Sequence, residues 1–253
     1  MGTLRAFLKK IKLFVFENIY SNKINIQNDK AIFSFTFDDV PISAAVAGAK
    51  ILEDAGVRGT YYVALGMESS NSEKEAERRF INEDEILALY EKDHDIGCHT
   101  FSHFNFREIP TSDIEVDCNK NTDRLMNIIK SSSIDHFAYP FGAVSLPGKK
   151  QLGYKYKTMR TTDPGLNYGS TDMSHLRTIS LCNISFDRDK VLKSIQSAVK
   201  HKAWVVFFSH DICDSPSDWG TKTNDFKWVV EQCKKVDGEI LNVTNAYARI
   251  TNR

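Results

Sequence analysis

From residue 31 almost to the C-terminus, β-rich runs alternate with amphipathic helical stretches, and this alternation restricts the chain to few architectures. The strand-like runs are AIFSFTF (31–37), RGTYYVA (58–64), DIGC (95–98), IDHFAYP (134–140), AWVVFFS (203–209) and EILNV (239–243), with short β segments near 155–160 and 176–181. Between them the apolar period becomes helical. Pro41 to Ala55 places Ile42, Val46, Ala49 and Leu52 near one face and stops at Gly56. Asn82 and Glu85 form a capping-box start for a helix over 82–93. Further helices are expected over 112–130, 187–201 and 224–237. Strands separated by helices pair in parallel, and this many repeats without a linker suggest one α/β barrel. In such folds the active site lies where the strands end.

The composition excludes several classes. Lys+Arg and Asp+Glu both number 33, so the basic excess of a nucleic-acid binder is absent. No apolar run approaches the roughly 20 residues of a membrane span. Five cysteines, none spaced C-x-x-C, fit a reducing compartment better than a disulfide framework or a zinc ribbon. Residues 1–29 form a separate lead-in, and one domain is expected over 30–253. In the lead-in, Leu4, Phe7, Leu8, Ile11, Phe14 and Val15 fall at helical spacing among Arg5, Lys9, Lys10 and Lys12. The lysines interrupt any signal-peptide core, which argues for a cytoplasmic protein. This basic amphipathic helix either packs on the domain or rests, through residues 4–20, on the inner face of an anionic membrane.

Polar groups gather at four strand ends: Asp38-Asp39, His99 with His103, the turn Pro140-Phe141-Gly142, and Ser209-His210. Adjacent aspartates can simply cap the next helix, and a lone histidine at a strand end is often structural. Two histidines four apart, with a carboxylate, make a common ligand set for a zinc-like ion with open positions. One aspartate can then ligate while the other stays free as a base, and His210 has an intrinsic pKa suited to donating a proton near neutrality.

These segments resemble the polysaccharide deacetylases of the NodB-homology group, carbohydrate esterase family 4. The family's T-F-D-D stands as Thr36-Phe37-Asp38-Asp39, and its H-[ST]-x-x-H as His99-Thr100-Phe101-Ser102-His103. Its last motif, an apolar residue followed by x-H, stands as Phe208-Ser209-His210. The resemblance spans residues 31–245. It implies a deformed (β/α) barrel of about seven parallel strands. It implies Asp38 as catalytic base, His210 as general acid, and Asp39, His99 and His103 as ligands of a divalent metal, Zn2+ first and Co2+, Ni2+ or Mn2+ next. It further implies the Phe141 N–H as oxyanion donor and Phe208 as part of the acetyl-methyl pocket.

Two motifs depart from the family. Its R-x-P-Y stands here as Ala138-Tyr139-Pro140-Phe141, without the arginine that braces the base. Its D-x-x-D-W has no clear counterpart, Asp163 being the nearest candidate. Arg177 or Arg160 is expected to supply the missing charge. The resemblance implies hydrolysis of the N-acetyl group of an amino sugar in an oligosaccharide or a nucleotide- or lipid-linked precursor, releasing acetate. Lys149, Lys150, Lys155 and Lys157 are candidate contacts for a charged precursor. The alternatives are a hydrolase of a formamide or other non-sugar amide, and a catalytically weak glycan-binding pseudoenzyme.

Overall fold

A computed structural model describes residues 14–16, 18–70 and 79–251. Most of the N-terminal amphipathic stretch lies outside the described residues. Along the chain come β1 (Lys23–Ile26), β2 (Ala31–Asp38), a π-wound segment (Ala44–Gly48) running into α1 (Ala49–Asp54), β3 (Thr60–Val63) and α2 (Glu83–Glu91). They are followed by β4 (Asp95–Cys98), α3 (Thr111–Ile129), β5 (His136–Ala138), α4 (Leu146–Leu152), β6 (Thr158–Pro164), β7 (Gly169–Asp172) and β8 (Leu176–Ser180). The last elements are α5 (Arg188–His201), β9 (Trp204–Ser209), β10 (Ile212–Cys213), β11 (Thr221–Lys222), α6 (Thr223–Lys234), β12 (Gly238–Ile240) and α7 (Val243–Thr251).

Seven parallel strands, β2-β3-β4-β5-β6-β8-β9, close on themselves through the pairing of β2 with β9. β12 adds to the lower half of β2, opposite Ala31 to Phe33, below the stretch where β3 pairs with Thr36 to Asp38. Every residue of β2 and of β9 is buried. Strands covered on both faces read as continuous apolar runs, which is why AIFSFTF and AWVVFFS stand out in the sequence.

Period-2 alternation sorts the side chains. Phe33, Phe35, Phe37, Met159, Ile179, Val205 and Phe207 face the helical shell, where Phe226 of α6 meets the rings of Phe35 and Phe37 at 5.4 and 5.5 Å. Ile32, Leu176, Trp204 and Val206 form a separate interior cluster with Val243, Ala246 and Ile250 of α7. α7 thereby closes the lower end of the barrel. The strand expected over 239–243 stops at Ile240, because Val243 instead begins this apolar plug.

The capping box forms as read: Glu85 N donates to Asn82 Oδ1 (3.0 Å) and Asn82 N to Glu85 Oε2 (2.9 Å). Two helix ends differ from the usual glycine stop, since α3 and α5 finish on Lys130 and Lys202 in the left-handed region. The lead-in carries β1, which pairs antiparallel with β7. No helix among the described residues is long and apolar enough to cross a membrane.

Candidate active site

Asp38 ends β2, and its side chain continues the inward set of Ser34 and Thr36. Asp39 and Val40 then take φ of 60° and 55°. Such a conformation is unfavourable for side-chain-bearing residues, above all for a β-branched valine, and here it turns Asp39 across the barrel mouth. His99 follows β4 directly, and Thr100 (φ 64°) and His103 (φ 48°) fold the second histidine back over the first. Their rings lie 5.0 Å apart.

The two imidazoles converge on one oxygen. His103 Nε2 lies 3.1 Å and His99 Nε2 3.4 Å from Asp39 Oδ1. That oxygen is buried and forms no hydrogen bond. One donor atom from each of Asp39, His99 and His103 lies within 4.8 Å of the other two. Donors around a tetrahedral zinc with bonds of about 2.0–2.1 Å sit roughly 3.3 Å apart, so the set fits a divalent ion. His99 Nδ1 faces the Ala138 carbonyl at 2.8 Å and must donate to it, leaving the Nε2 lone pair for a ligand. Burial pushes the His99 pKa down to about 4, so the ring is neutral, as a ligand must be. Burial works against ionisation of Asp39, but the nearby His103, His99 and His210 outweigh it and hold the pKa at about 2.

The base candidate is held separately. Arg160 Nη2 donates to Asp38 Oδ1, and both side chains are almost fully buried. The guanidinium also sits over the Tyr62 and Phe208 rings, at 5.1 and 5.3 Å, and donates to the Thr161 carbonyl (3.1 Å). This corrects the expectation for Arg177 and Asp163. On β8, Leu176 and Thr178 point inward, so Arg177 falls in the outward set with Ile179 and lines a different cavity with Asn167 and His175. On β6, Arg160 points inward while Asp163 pairs with His175 at 3.0 Å. A charge in the middle of a buried strand was the available signal, since such a group demands a partner.

Asp38, Asp39, His99, His103, Phe141, Phe208 and His210 line one cavity of about 300 Å3, together with Thr162 and Trp219, which sequence reasoning missed. His210 Nε2 lies 3.8 Å from Asp39 Oδ2, on the side away from the His99–His103 pair. Phe141, at φ 57°, packs its ring 4.6 Å from His103 and leaves it largely exposed. The next residue must be glycine: Gly142 has φ 61°, and a Cβ there would meet Thr162 Oγ1 at 2.0 Å. Trp219 is exposed at the opposite rim beside His210.

The four lysines expected near the substrate lie elsewhere. Lys149 is buried against Asp172, Lys155 donates to Asn119, Lys157 pairs with Asp135 at 2.6 Å, and Lys150 sits over the Tyr20 ring. No Lys or Arg is among the described residues lining the cavity.

The polysaccharide deacetylase family profile matches residues 25–157. No curated protein sequence matches the chain. Among solved structures, the chain is similar to the Xyl-CE4 domain of a multidomain xylanase from the hindgut metagenome of Trinervitermes trinervoides. Identity is 14%, 87% of this chain and 91% of the other are covered, and the TM-score is 0.59. It is also similar to a family 4 carbohydrate esterase from Streptomyces lividans in complex with acetate (11% identity, 83% and 90% covered, TM-score 0.56). A CE4 family pseudoenzyme from Bacillus anthracis matches at 14% identity, with 88% and 68% covered and a TM-score of 0.60. At these identities the likeness establishes the barrel alone.

Proposed function

The chain belongs to the polysaccharide deacetylase family, and we propose that it is a metal-dependent hydrolase that removes the N-acetyl group of an amino sugar and releases acetate. One observation carries this: Asp39, His99 and His103 converge on a single point, with the Arg160-bound Asp38 and His210 lining the same cavity. A divalent cation, with Zn2+ the first candidate, would be held by Asp39, His99 and His103 and would supply Lewis acidity toward the amide carbonyl and water.

The chain's own residues do the rest. Asp38, held by Arg160, accepts the proton of the attacking water. The main-chain N–H of Phe141 faces the developing oxyanion. His210 protonates the departing nitrogen, a step amide cleavage needs because an unprotonated amine is a poor leaving group. Phe208 supplies an apolar wall for the acetyl methyl. Two exposed aromatic rings at the rim, Phe141 and Trp219, suit the apolar faces of a pyranose. Without cationic lining among the described residues, the site favours a neutral sugar unit over a phosphate placed next to the acetamide. Peripheral contact of residues 4–20 with the inner face of a membrane, and a cytoplasmic setting, remain part of this proposal and are tested by fractionation of the full chain.

The test is metal analysis of the purified chain together with acetate release from N-acetylated oligosaccharides, lipid-linked sugars and nucleotide sugars, with formylated sugars as comparison. Asp38→Asn and His210→Ala should each remove most turnover and leave the metal bound. Formate release without acetate release would favour the formamide alternative. Near-normal turnover in either variant would overturn the role given to that residue.

A further inference from the structure

The family's D-x-x-D-W segment has no counterpart here, yet His210 is tethered. Its Nδ1 lies 3.2 Å from the main-chain carbonyl of Trp219. A ring nitrogen facing a carbonyl must carry hydrogen, so Nδ1 donates and Nε2 is turned to the cavity. The Trp219 carbonyl is itself held by a folded loop. Asp211 is buried, with 7% of its surface exposed. Its Oδ2 accepts from Ser217 N (2.8 Å) and its Oδ1 from Ser217 Oγ (2.5 Å). Ser217 Oγ in turn accepts from Trp219 N (3.3 Å) and Gly220 N (3.1 Å). Thr221 N closes the loop on the Asp211 carbonyl (2.8 Å). From the far side, Ile184 N and Asn183 N donate to the carbonyls of Asp218 (3.0 Å) and Gly220 (2.7 Å). Gly220 permits this approach, since a Cβ there would stand 2.3 Å from Asp211 Oδ1.

We propose that Asp211, acting through Ser217, is a positioning residue that fixes the Trp219 carbonyl against His210 Nδ1 and so holds Nε2 toward the departing nitrogen. Asp211 lies outside the lining of the cavity. The inference rests on the assignment of His210 as general acid, and the two can be separated by leaving group. Cleavage of an amide requires the acid, whereas 4-nitrophenolate departs without a proton. The acetyl esterase reaction therefore reports everything in the site except the acid.

The experiment compares metal-loaded wild type with His210→Ala, Asp211→Asn, Ser217→Ala and Ser217→Thr on an N-acetylated chito-oligosaccharide and on 4-nitrophenyl acetate. Asp211→Asn and Ser217→Ala should lower amide kcat about tenfold or more while their ester hydrolysis stays within about twofold, and His210→Ala should lower amide kcat by about a hundredfold or more. Ser217→Thr, which keeps the hydroxyl, should restore most amide turnover. Nitrogen-15 NMR of the imidazole should show the Nδ1–H tautomer in wild type and a mixture in Ser217→Ala. Equal loss on amide and ester, or an unchanged amide rate in Ser217→Ala, would overturn the positioning role. Wild-type amide turnover in His210→Ala would instead remove the assignment of the acid. Ser217→Ala keeps the carboxylate and its main-chain bond, so it decides the matter if Asp211→Asn lowers the melting temperature.

Discussion

Arg160 and Asp38 form an ion pair across the barrel interior, with 0% and 5% of their side chains exposed. The cation reaches the base candidate from β6, whereas the family's R-x-P-Y motif would place it just before Tyr139. The two strands are not neighbours in the sheet, so the pair spans the barrel and is defined by inward-facing register alone. Removing one partner of a buried pair strands the other charge, at a cost of about 3–5 kcal/mol.

Arg160→Met should therefore be both less stable and at least about tenfold slower in turnover, with metal content unchanged. Arg177→Met should stay within about twofold of wild type, because its side chain belongs to the outward set. In Arg160→Met/Asp38→Asn the stability loss should be smaller than the sum of the single losses, read by urea midpoints. Additive losses would show that the two groups do not act as a pair.

Metal binding should register as stability as well as activity. A ligand that binds only the folded state adds RT ln(1 + [L]/Kd), about 2.7 kcal/mol at a hundred times Kd. Adding Zn2+ to the metal-free protein should raise its melting temperature, and His103→Ala and Asp39→Asn should abolish most of that rise. Calorimetric titration should give one ion per wild-type chain. An undiminished shift in both variants would place the ion elsewhere.

The parts visible in the sequence were those encoded locally. Thr36-Phe37-Asp38-Asp39 and His99 to His103 each bring their groups together within one turn of chain, so spacing alone located them. The doubly buried strands showed as apolar runs, and the Asn82–Glu85 box marked a helix start. What stayed hidden depends on register and long-range closure. Choosing Arg160 over Arg177 requires knowing which face of β6 and β8 looks inward, and a single shift reverses that. Trp219 and the Asp211–Ser217 loop lie in a stretch without periodicity, positioned by contacts with 181–184. The strand expected over 239–243 gives way to α7 at Val243, because Val243 suits a strand or a plug equally well and only the open barrel end decides between them.

Acid should destabilise the metal-free protein through histidines outside the site as well as within it. Burial lowers the pKa of His94, against the pull of Glu53, and lowers that of His136, whose nitrogens meet Thr158 Oγ1 and Thr244 Oγ1 at 2.9 Å each. The unfolded histidines titrate near their usual value of about 6.5, above folded His94, His99 and His136, while His103, whose pKa Asp39 raises against the effect of burial, works the other way and offsets part of the effect. In that window the unfolded chain binds more protons, so stability rises with pH and falls as pH drops below about 6.5. Urea midpoints should be nearly flat from about pH 8 to 7 and decline toward pH 5. His136→Gln should flatten part of the decline. A midpoint constant down to pH 5 would contradict burial of these rings in the neutral form.

Trp219 offers the cleanest separation of binding from chemistry. Its ring is 59% exposed at the rim, while its main-chain carbonyl, which any residue supplies, faces His210. Trp219→Ala removes the ring and keeps the carbonyl. If the ring lies against a sugar face, an aromatic contact of about 0.5–1.5 kcal/mol is lost, a rise of roughly two- to twelvefold in KM for an N-acetylated oligosaccharide. Because the contact is made equally in ground and transition states, kcat should change little. Hydrolysis of 4-nitrophenyl acetate, which has no sugar face to cover, should be unaffected. A fall in kcat at constant KM would show instead that the ring acts on the orientation of His210, and the rim would lose its claim to recognise the glycan.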